Sequence, residues 1–239
     1  MKKILAVVLA LMLALSLCAL AEEAMTYADY AAAAIDEEVT ITAYVQAHQS
    51  WWDGKVTIYA ADADGAYFLY ETPCSEEDAE KLVPGTKFTA TGFKSEWSGE
   101  VELADISSFE IIDDGDTYIA EPVDVTELLG TEELAEKMNQ LVSFKGMTVA
   151  PSTIEGDETE YAFLYNWDGS GEEGNDLYFN VSLNGETYNF TVESYLCGPG
   201  TDVYEAVKAL NVGDVVDLEG FLYWYNGANP HITSVVAAE

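Results

Sequence analysis

The sequence contains no arginine, and basic residues of any kind are few. Nine lysines stand against 44 aspartates and glutamates, which gives a formal net charge of −35. A phosphate backbone is held mainly by arginine and lysine, so this composition disfavours nucleic acid as a partner, and it disfavours an anionic membrane surface for the same reason. The charge is typical of a protein that stays soluble in an external medium, with cation binding as the alternative.

Catalytic motifs are also scarce. The chain has two histidines, His48 and His231, and it contains no Gly-x-Ser-x-Gly, no His-Glu-x-x-His and no phosphate-binding glycine loop. Together with Cys74 and Cys197, the histidines show no zinc-type spacing. Paired carboxylates for glycoside hydrolysis carry no information in a chain with so many acids. The sequence therefore predicts a protein that is not an enzyme and binds no cofactor or metal.

The chain has one long apolar run, and it lies at the N-terminus. Lys2 and Lys3 precede it, it covers residues 4–20, and it ends in the small-residue site Ala19-Leu20-Ala21. This order predicts a cleaved signal peptide over residues 1–21 and a secreted or cell-envelope protein with no membrane span after cleavage. An uncleaved anchor is the alternative, although the run is short for a span and nothing basic follows it.

Cysteine is rare as well, with three in the whole chain. Cys18 lies in the apolar run, where lipidation is an alternative to cleavage, although Leu17 before it is bulkier than the residue that lipoproteins have there. Cleavage removes Cys18 and two lysines, and leaves seven lysines against 44 acids, a net charge of −37. Cys74 and Cys197 remain, and both a disulfide between them and two free thiols stay open.

The remaining chain is organised as an internal duplication. Residues 26–112 form the first copy, the acidic, glycine-containing stretch 113–119 is the linker, and residues 120–239 form the second copy. Alternation and turn signals predict the first copy as a helix at 26–34, strands at 39–45, 56–59 and 67–70, a helix at 75–82, and strands at 87–93 and 100–105. The second copy is predicted as a helix at 126–139, strands at 141–150, 161–166, 177–183 and 186–192, a helix at 204–210, and a final hairpin.

Short strands with a helix between the third and fourth have the order of the OB-fold barrel. The predicted fold is mainly β: two OB-like five-stranded barrels in tandem, each with a preceding helix and one helix between strands three and four. The first copy resembles exported bacterial tandem OB-fold proteins, on residues 39–46, the hairpin 62–69, Pro84-Gly85-Thr86 and Thr91-Gly92-Phe93.

Aromatic residues provide the candidate binding site. In OB barrels the ligand lies across strands two and three, framed by the loops that join strands one to two and four to five. The candidates in or near these places are Trp51, Trp52, Tyr59, Tyr67, Trp97, Trp224 and Tyr225. Trp51 and Trp52 are preferred because adjacent extended residues point to opposite sides, so one of them faces outward. The other interpretation is that such aromatics plug the barrel ends and brace hairpins.

Exposed aromatics beside polar side chains suit sugar rings, since the rings stack and the polar groups accept hydroxyl hydrogen bonds. The sequence therefore predicts an exported, acidic, non-catalytic binding or interaction protein whose ligand is a glycan or another extracellular protein. The first alternative is a single-stranded nucleic-acid-binding OB protein, because bases stack on the same rings. That alternative needs a cationic groove, for which Lys55, Lys87 and Lys94 are the available residues.

A calcium-dependent surface module is the second alternative. Residues 62–65 and 168–176 supply closely spaced oxygens, as pieces of calcium loops do. Neither has the full EF-hand spacing, so ordinary turn chemistry is favoured at both.

Overall fold

A computed structural model describes residues 24–238. The predicted signal peptide, with the lipidation alternative at Cys18, lies outside the described residues. Within residues 24–238, no helix combines the length and the apolar character that crossing a bilayer requires.

The first barrel follows a short capping helix. The elements are α1 (Tyr27–Ala32), β1 (Glu38–His48), β2 (Lys55–Ala61), β3 (Ala66–Pro73), α2 (Glu76–Ala79), β4 (Lys87–Trp97) and β5 (Glu100–Ile112). The strands close in the order β1-β2-β3-β5-β4, with the parallel β3–β5 contact centred on Leu69 and Leu103. Alternation in β1 explains the core, because Val39, Ile41 and Ala43 are buried at every second position.

The second barrel repeats this order with a longer first loop. The elements are β6 (Val123–Asp124), 3-10 helices at Thr126–Leu128 and Glu132–Lys137, β7 (Leu141–Ala150), β8 (Leu164–Tyr165), β9 (Leu177–Leu183), β10 (Glu186–Val192), α3 (Asp202–Lys208), β11 (Val215–Phe221) and β12 (His231–Ala237). The β7–β9 pairing closes the five strands β7, β9, β10, β12 and β11. The predicted tandem of OB-like barrels is confirmed.

Two predicted elements of the second copy differ from the structure. The predicted helix 126–139 is two 3-10 helices, because Gly130 adopts φ +78° between them and ends the first. The predicted strand 161–166 shrinks to the two-residue β8 within the long β7–β9 connection, so β9 and β10 are the second and third strands of this barrel.

The outer face of β2 and β3 is where the two barrels meet. Tyr59 and Phe68 from the first barrel pack with Phe221 from the second in one buried apolar cluster. The rings of Tyr59 and Phe221 stack with centroids 4.5 Å apart, and Phe68 meets Tyr223 edge-on at 5.4 Å. We call this contact the junction. It covers the face on which an OB barrel ordinarily presents its ligand site.

The connection between the barrels is held against the first barrel. The Gln46 side chain donates to the Tyr118 carbonyl at 3.1 Å and accepts the Ala120 N–H at 2.8 Å. Lys87 bridges Asp114 and Asp116 at 2.8 and 3.0 Å. Asp114 and Asp116, which belong to the acidic stretch predicted as the linker, therefore attach this connection to the first barrel.

The two cysteines within the described residues are free thiols, Cys74 buried and Cys197 half-buried. Burial raises the pKa of both, to about 11 for Cys197, so the thiols are inert at neutral pH.

Candidate functional site

Two of the predicted binding residues are not available to a ligand, which corrects the sequence interpretation. Tyr59 is covered by the second barrel, and its hydroxyl is hydrogen-bonded to His231 Nδ1 at 2.6 Å. Tyr67 lies inside the first barrel and donates to Asp62 at 2.8 Å. Both aromatic rings therefore contribute to packing. The second barrel buries Tyr59, and the Tyr67 side chain points into the core of the first barrel.

Three other predicted residues lie at the tips of two hairpins that touch each other. Trp224 packs on Gly99, where an added Cβ would approach the indole to 2.8 Å, and the Asn226 N–H donates to the Ser98 carbonyl at 2.7 Å. Trp97 and Tyr225 remain exposed beside this contact. Trp224 therefore braces the junction, and the three residues lie apart from the cleft described next.

Trp51 and Trp52 belong to a tight turn between β1 and β2. Trp52 and Lys55 exchange two backbone hydrogen bonds of 3.0 Å, and the central residues Asp53 and Gly54 have φ of +47° and +80°. Positive φ at both central positions is the type I′ hairpin turn, which Asp-Gly favours. The turn fixes the direction in which the Trp52 side chain leaves the backbone.

Trp51 anchors this turn to the first barrel. Its indole Nε1 donates to the Cys74 carbonyl at 2.9 Å, and the Cys74 N–H donates to the Gly54 carbonyl at 2.9 Å. Trp52, in contrast, is 76% exposed. The expectation that one of the pair faces outward is met by Trp52, with Trp51 as its support.

A bulge in β3 supplies the opposite side of the site. Val56 pairs with Thr72 and Ile58 with Leu69, so Tyr70 and Glu71 together oppose Thr57. Glu71 adopts φ +47°, and its N–H donates to Thr57 Oγ1 at 3.2 Å. The extra residue turns the Tyr70 ring outward, where it is exposed.

The second barrel contributes Tyr195 from the loop after β10. The Tyr195 carbonyl accepts the N–H and the hydroxyl of Ser50 at 2.7 and 3.0 Å, which ties this loop to the Trp51-Trp52 loop. Below it, the Glu193 carboxylate accepts the N–H groups of Tyr195 and Leu196 at 3.1 and 2.8 Å. Burial raises the pKa of Glu193 to about 7, despite the lowering effect of these bonds.

These elements enclose a cleft of about 270 Å³, which we call the Trp52 cleft. It is lined by Gln49, Ser50, Trp52, Asp53, Lys55, Val56, Thr57, Tyr70, Glu71 and Tyr195. Lys55 and Glu71 form an ion pair of 2.6 Å in its wall, and this bond raises the pKa of Lys55. The cleft therefore combines three exposed aromatic rings with amide, hydroxyl and charged hydrogen-bonding groups.

Sequence reasoning missed Tyr70, Tyr195, Gln49 and Thr57. The bulge that exposes Tyr70 lies in an otherwise apolar strand, and no local signal marks it. Tyr195 lies 145 positions from Ser50 in the chain, so its place depends on how the barrels dock.

The two acidic loops use their oxygens for turns. Asp62 Oδ1 accepts the N–H groups of Asp64 and Gly65 at 2.8 Å, and Asp168 Oδ1 accepts the Ser170 N–H at 3.0 Å. These are the side-chain turns that the sequence favours over a calcium site. Across residues 24–238, no three or more His, Cys, Asp and Glu side chains are grouped so that they could hold a metal ion.

No protein-family model matches the chain, and no curated protein matches it. Several solved structures are similar to it at low identity and with TM-scores below 0.5. A murine DNA-binding protein bound with double-stranded DNA is 12% identical, with 84% of this chain and 96% of that chain covered and a TM-score of 0.37. The p202 HIN1 domain in complex with a 12-mer double-stranded DNA is 11% identical, covers 92% and 97%, and has a TM-score of 0.33.

Asparaginyl-tRNA synthetase from Pyrococcus horikoshii is 14% identical over 42% of this chain, with a TM-score of 0.28. This chain spans 24% of the synthetase chain. At these values the similarity concerns the fold.

One expectation is corrected by these comparisons. The sequence analysis disfavours nucleic acid as a partner on net charge, yet two of the similar structures hold double-stranded DNA. That exclusion was wrong as a rule for proteins of this fold, and we withdraw it. The described residues form a tandem of two OB-like barrels, and the class of any ligand has to be decided from the candidate site itself.

Proposed function

We propose that this protein is an exported, non-catalytic binding module that holds a glycan in the Trp52 cleft. The observation that carries the proposal is the convergence of Trp52, Tyr70 and Tyr195, all exposed, from both barrels around one cleft. Export is inferred from the signal-peptide pattern of residues 1–21.

The chemistry of the cleft fits a sugar ring in two ways. Aromatic faces bind the apolar C–H face of a ring by stacking, and a rigid turn presents Trp52 with little entropy to lose on binding. Gln49 and Asp53 lie in the same wall, Gln49 half-buried and Asp53 exposed, and they offer donors and acceptors for ring hydroxyls. A cleft of about 270 Å³ is near the lower end of ligand pockets and suits one or two rings.

The test is a polysaccharide and glycan array on the exported protein, followed by calorimetric titration of the hits. Trp52→Ala is expected to weaken binding by about 30-fold, as loss of a central aromatic contact of about 2 kcal/mol does. Trp167→Ala is the matched control, since Trp167 is 75% exposed on the second barrel. Equal affinity in Trp52→Ala and the wild type would reject the cleft, and an empty array with a captured protein partner would replace the glycan by a protein ligand.

Single-stranded nucleic acid is the second candidate, and Lys55 is the observation that favours it. Its ammonium lies in the same wall as Trp52 and Tyr70, which places a cation beside two stacking rings. A thymidine oligonucleotide should then bind at low salt, lose affinity as salt rises, and depend on both Trp52 and Lys55. Oligonucleotide binding with an empty glycan array would decide for this candidate.

A further inference from the structure

Two carboxyl groups of the first barrel are buried beside the junction, Glu100 completely and Glu102 nearly so. Glu100 and Glu102 occupy outward positions of β5, and they are 0% and 7% exposed. Glu100 Oε2 accepts the Trp224 N–H at 2.8 Å, whereas Oε1 has no hydrogen-bond partner. A buried carboxylate oxygen without a partner is costly when it carries charge.

No lysine in the described part of the chain forms an ion pair with either glutamate. None of the ion pairs formed within residues 24–238 includes Glu100 or Glu102. Lys94, on the adjacent strand β4, points its ammonium at the carbonyls of Tyr30, Ala31 and Ala33. Lys137, which ends the 3-10 helix before Asn139, is absent from these ion pairs too.

The remaining groups that face the pair are neutral over the physiological range. They are the hydroxyls of Tyr30 on α1, Tyr59 on β2, Tyr70 on β3 and Tyr223 after β11, together with the His231 ring that stacks on Tyr223. Burial raises the pKa of each tyrosine and lowers the pKa of His231 to about 3. Glu96 pairs with Val101 and so points to the opposite face of the strand.

We propose that the junction is a proton-dependent clamp: Glu100 and Glu102 hold the two barrels together when they are protonated and loosen them when they ionise. The inference does not depend on what the Trp52 cleft binds. Its basis is the geometry of two unpaired carboxyls enclosed by aromatic rings from both barrels. Desolvation raises the pKa of Glu100 to about 8 and of Glu102 to about 7, which is consistent with that geometry.

The direction of the effect follows from proton linkage. A closed junction that holds its glutamates protonated binds more protons than an opened one, in which they return to an ordinary pKa of about 4.3. Opening therefore becomes easier as pH rises from about 5 to about 8. Ordinary carboxylates are already ionised in this range, so they add little to the change.

The experiment measures amide hydrogen exchange of the whole chain between pH 5.5 and 8.5. The Trp224 and Asn226 N–H groups bond across the junction, to Glu100 and Ser98, and report its opening. Their protection factors, corrected for the intrinsic rate, are expected to fall at least tenfold over this range. The protection factors of amides in the barrel cores, such as that of Ile41, are expected to fall less over the same pH range.

Glu100→Gln should remove much of the fall, because the amide keeps the shape and removes one of the two titrations, and Glu100→Gln/Glu102→Gln should reduce the fall to twofold or less. Glu186→Gln, at an exposed position, is the matched control and should behave as the wild type. Glu193→Gln measures how much of the fall comes from Glu193, the third buried glutamate, which lies at the Tyr195 loop. If Glu100→Gln does not fold, Glu102→Gln takes its place and should remove part of the fall. Constant protection in the wild type, or an equal fall in the foldable glutamine variants, would overturn the clamp.

Discussion

The two barrels share a fold and use the same face in opposite ways. On the first barrel, the outer face of β2 and β3 carries Tyr59 and Phe68, and the second barrel buries both. On the second, the corresponding strands β9 and β10 turn Asn180 and Asn189 outward, hydrogen-bonded to each other at 2.9 Å, and no barrel covers them. Apolar outward residues thus mark the face that docks, and polar ones mark the face that stays open.

This difference also explains where a ligand can bind. Since the second barrel occupies the β2–β3 face, the Trp52 cleft lies at the rim of the junction and takes Tyr195 from the covering barrel. A site built from both barrels depends on how they dock. Binding in the cleft and stability of the junction are therefore expected to be linked.

The largest expected effect is a loss of folding stability at low pH, caused by His231, which is hydrogen-bonded to Tyr59 at the junction. His231 is buried and uncharged, and burial lowers its pKa to about 3 from 6.5. The unfolded chain binds this proton as pH falls below 6.5 while the folded chain does not, so the stabilisation is present above pH 6.5 and is lost as pH falls toward 3. The full effect is on the order of 5 kcal/mol.

Urea unfolding of the wild type and His231→Gln from pH 7 to pH 4 measures it. The wild type should be the more stable at pH 7, and its advantage should shrink steadily with pH, because all other groups cancel in the difference. An advantage that stays constant to pH 4 would mean that His231 does not titrate in this way. Since the buried glutamates oppose this trend from about pH 5 upward, the junction should be most stable near pH 4.5 to 5.

The next effect removes one aromatic from the junction. Phe221→Ala is expected to lower the free energy of unfolding by about 3–4 kcal/mol, because it deletes the ring stacked on Tyr59 and leaves a cavity between the barrels. Tyr225→Ala is the control, with an exposed ring and an expected cost below about 0.5 kcal/mol. Similar costs for the two variants, measured by urea unfolding, would show that the junction contributes little.

Much of this architecture was predictable, because its signals are local. Alternating apolar residues such as Val39, Ile41 and Ala43 define β1, and the adjacent extended residues Trp51 and Trp52 predicted that one of the two faces outward. The junction was not predictable in the same way. Tyr59 and Trp52 are both aromatics near the second strand, and docking of the second barrel, a tertiary event, buries one and leaves the other exposed.

The prediction of a strand at residues 161–166, within the long β7–β9 connection, was wrong for a different reason. Its glycines and acids satisfy their own backbone through turns, such as the one at Asp168, so no periodic pattern shows where the second strand begins. In the predicted helix 126–139 the apolar spacing suited a helix, but Gly130 and the packing of the segment against the barrel set its conformation instead.

A smaller effect is expected at the turn between β1 and β2, which presents Trp52. Gly54→Ala should cost about 1 kcal/mol, because Gly54 adopts φ +80° and nothing lies within 4 Å of an added Cβ, so the cost comes from the backbone alone. Asp53→Asn is the control and should be neutral, since asparagine also favours this turn. Thermal unfolding measures both, and a neutral Gly54→Ala would mean that the turn relaxes without strain and that Trp52 is less rigidly presented.

The smallest effect tests whether the face of the second barrel is open. Asn189→Ala removes the donor of the hydrogen bond to Asn180 Oδ1, yet both groups are within reach of water, which can replace the bond. The expected change in the free energy of unfolding is therefore below about 0.5 kcal/mol. A Phe68→Ala variant on the closed face provides the contrast, with an expected cost of about 3 kcal/mol. A large cost for Asn189→Ala, or a change in particle size by gel filtration, would mean that the second barrel's face is also covered, by another copy of the chain.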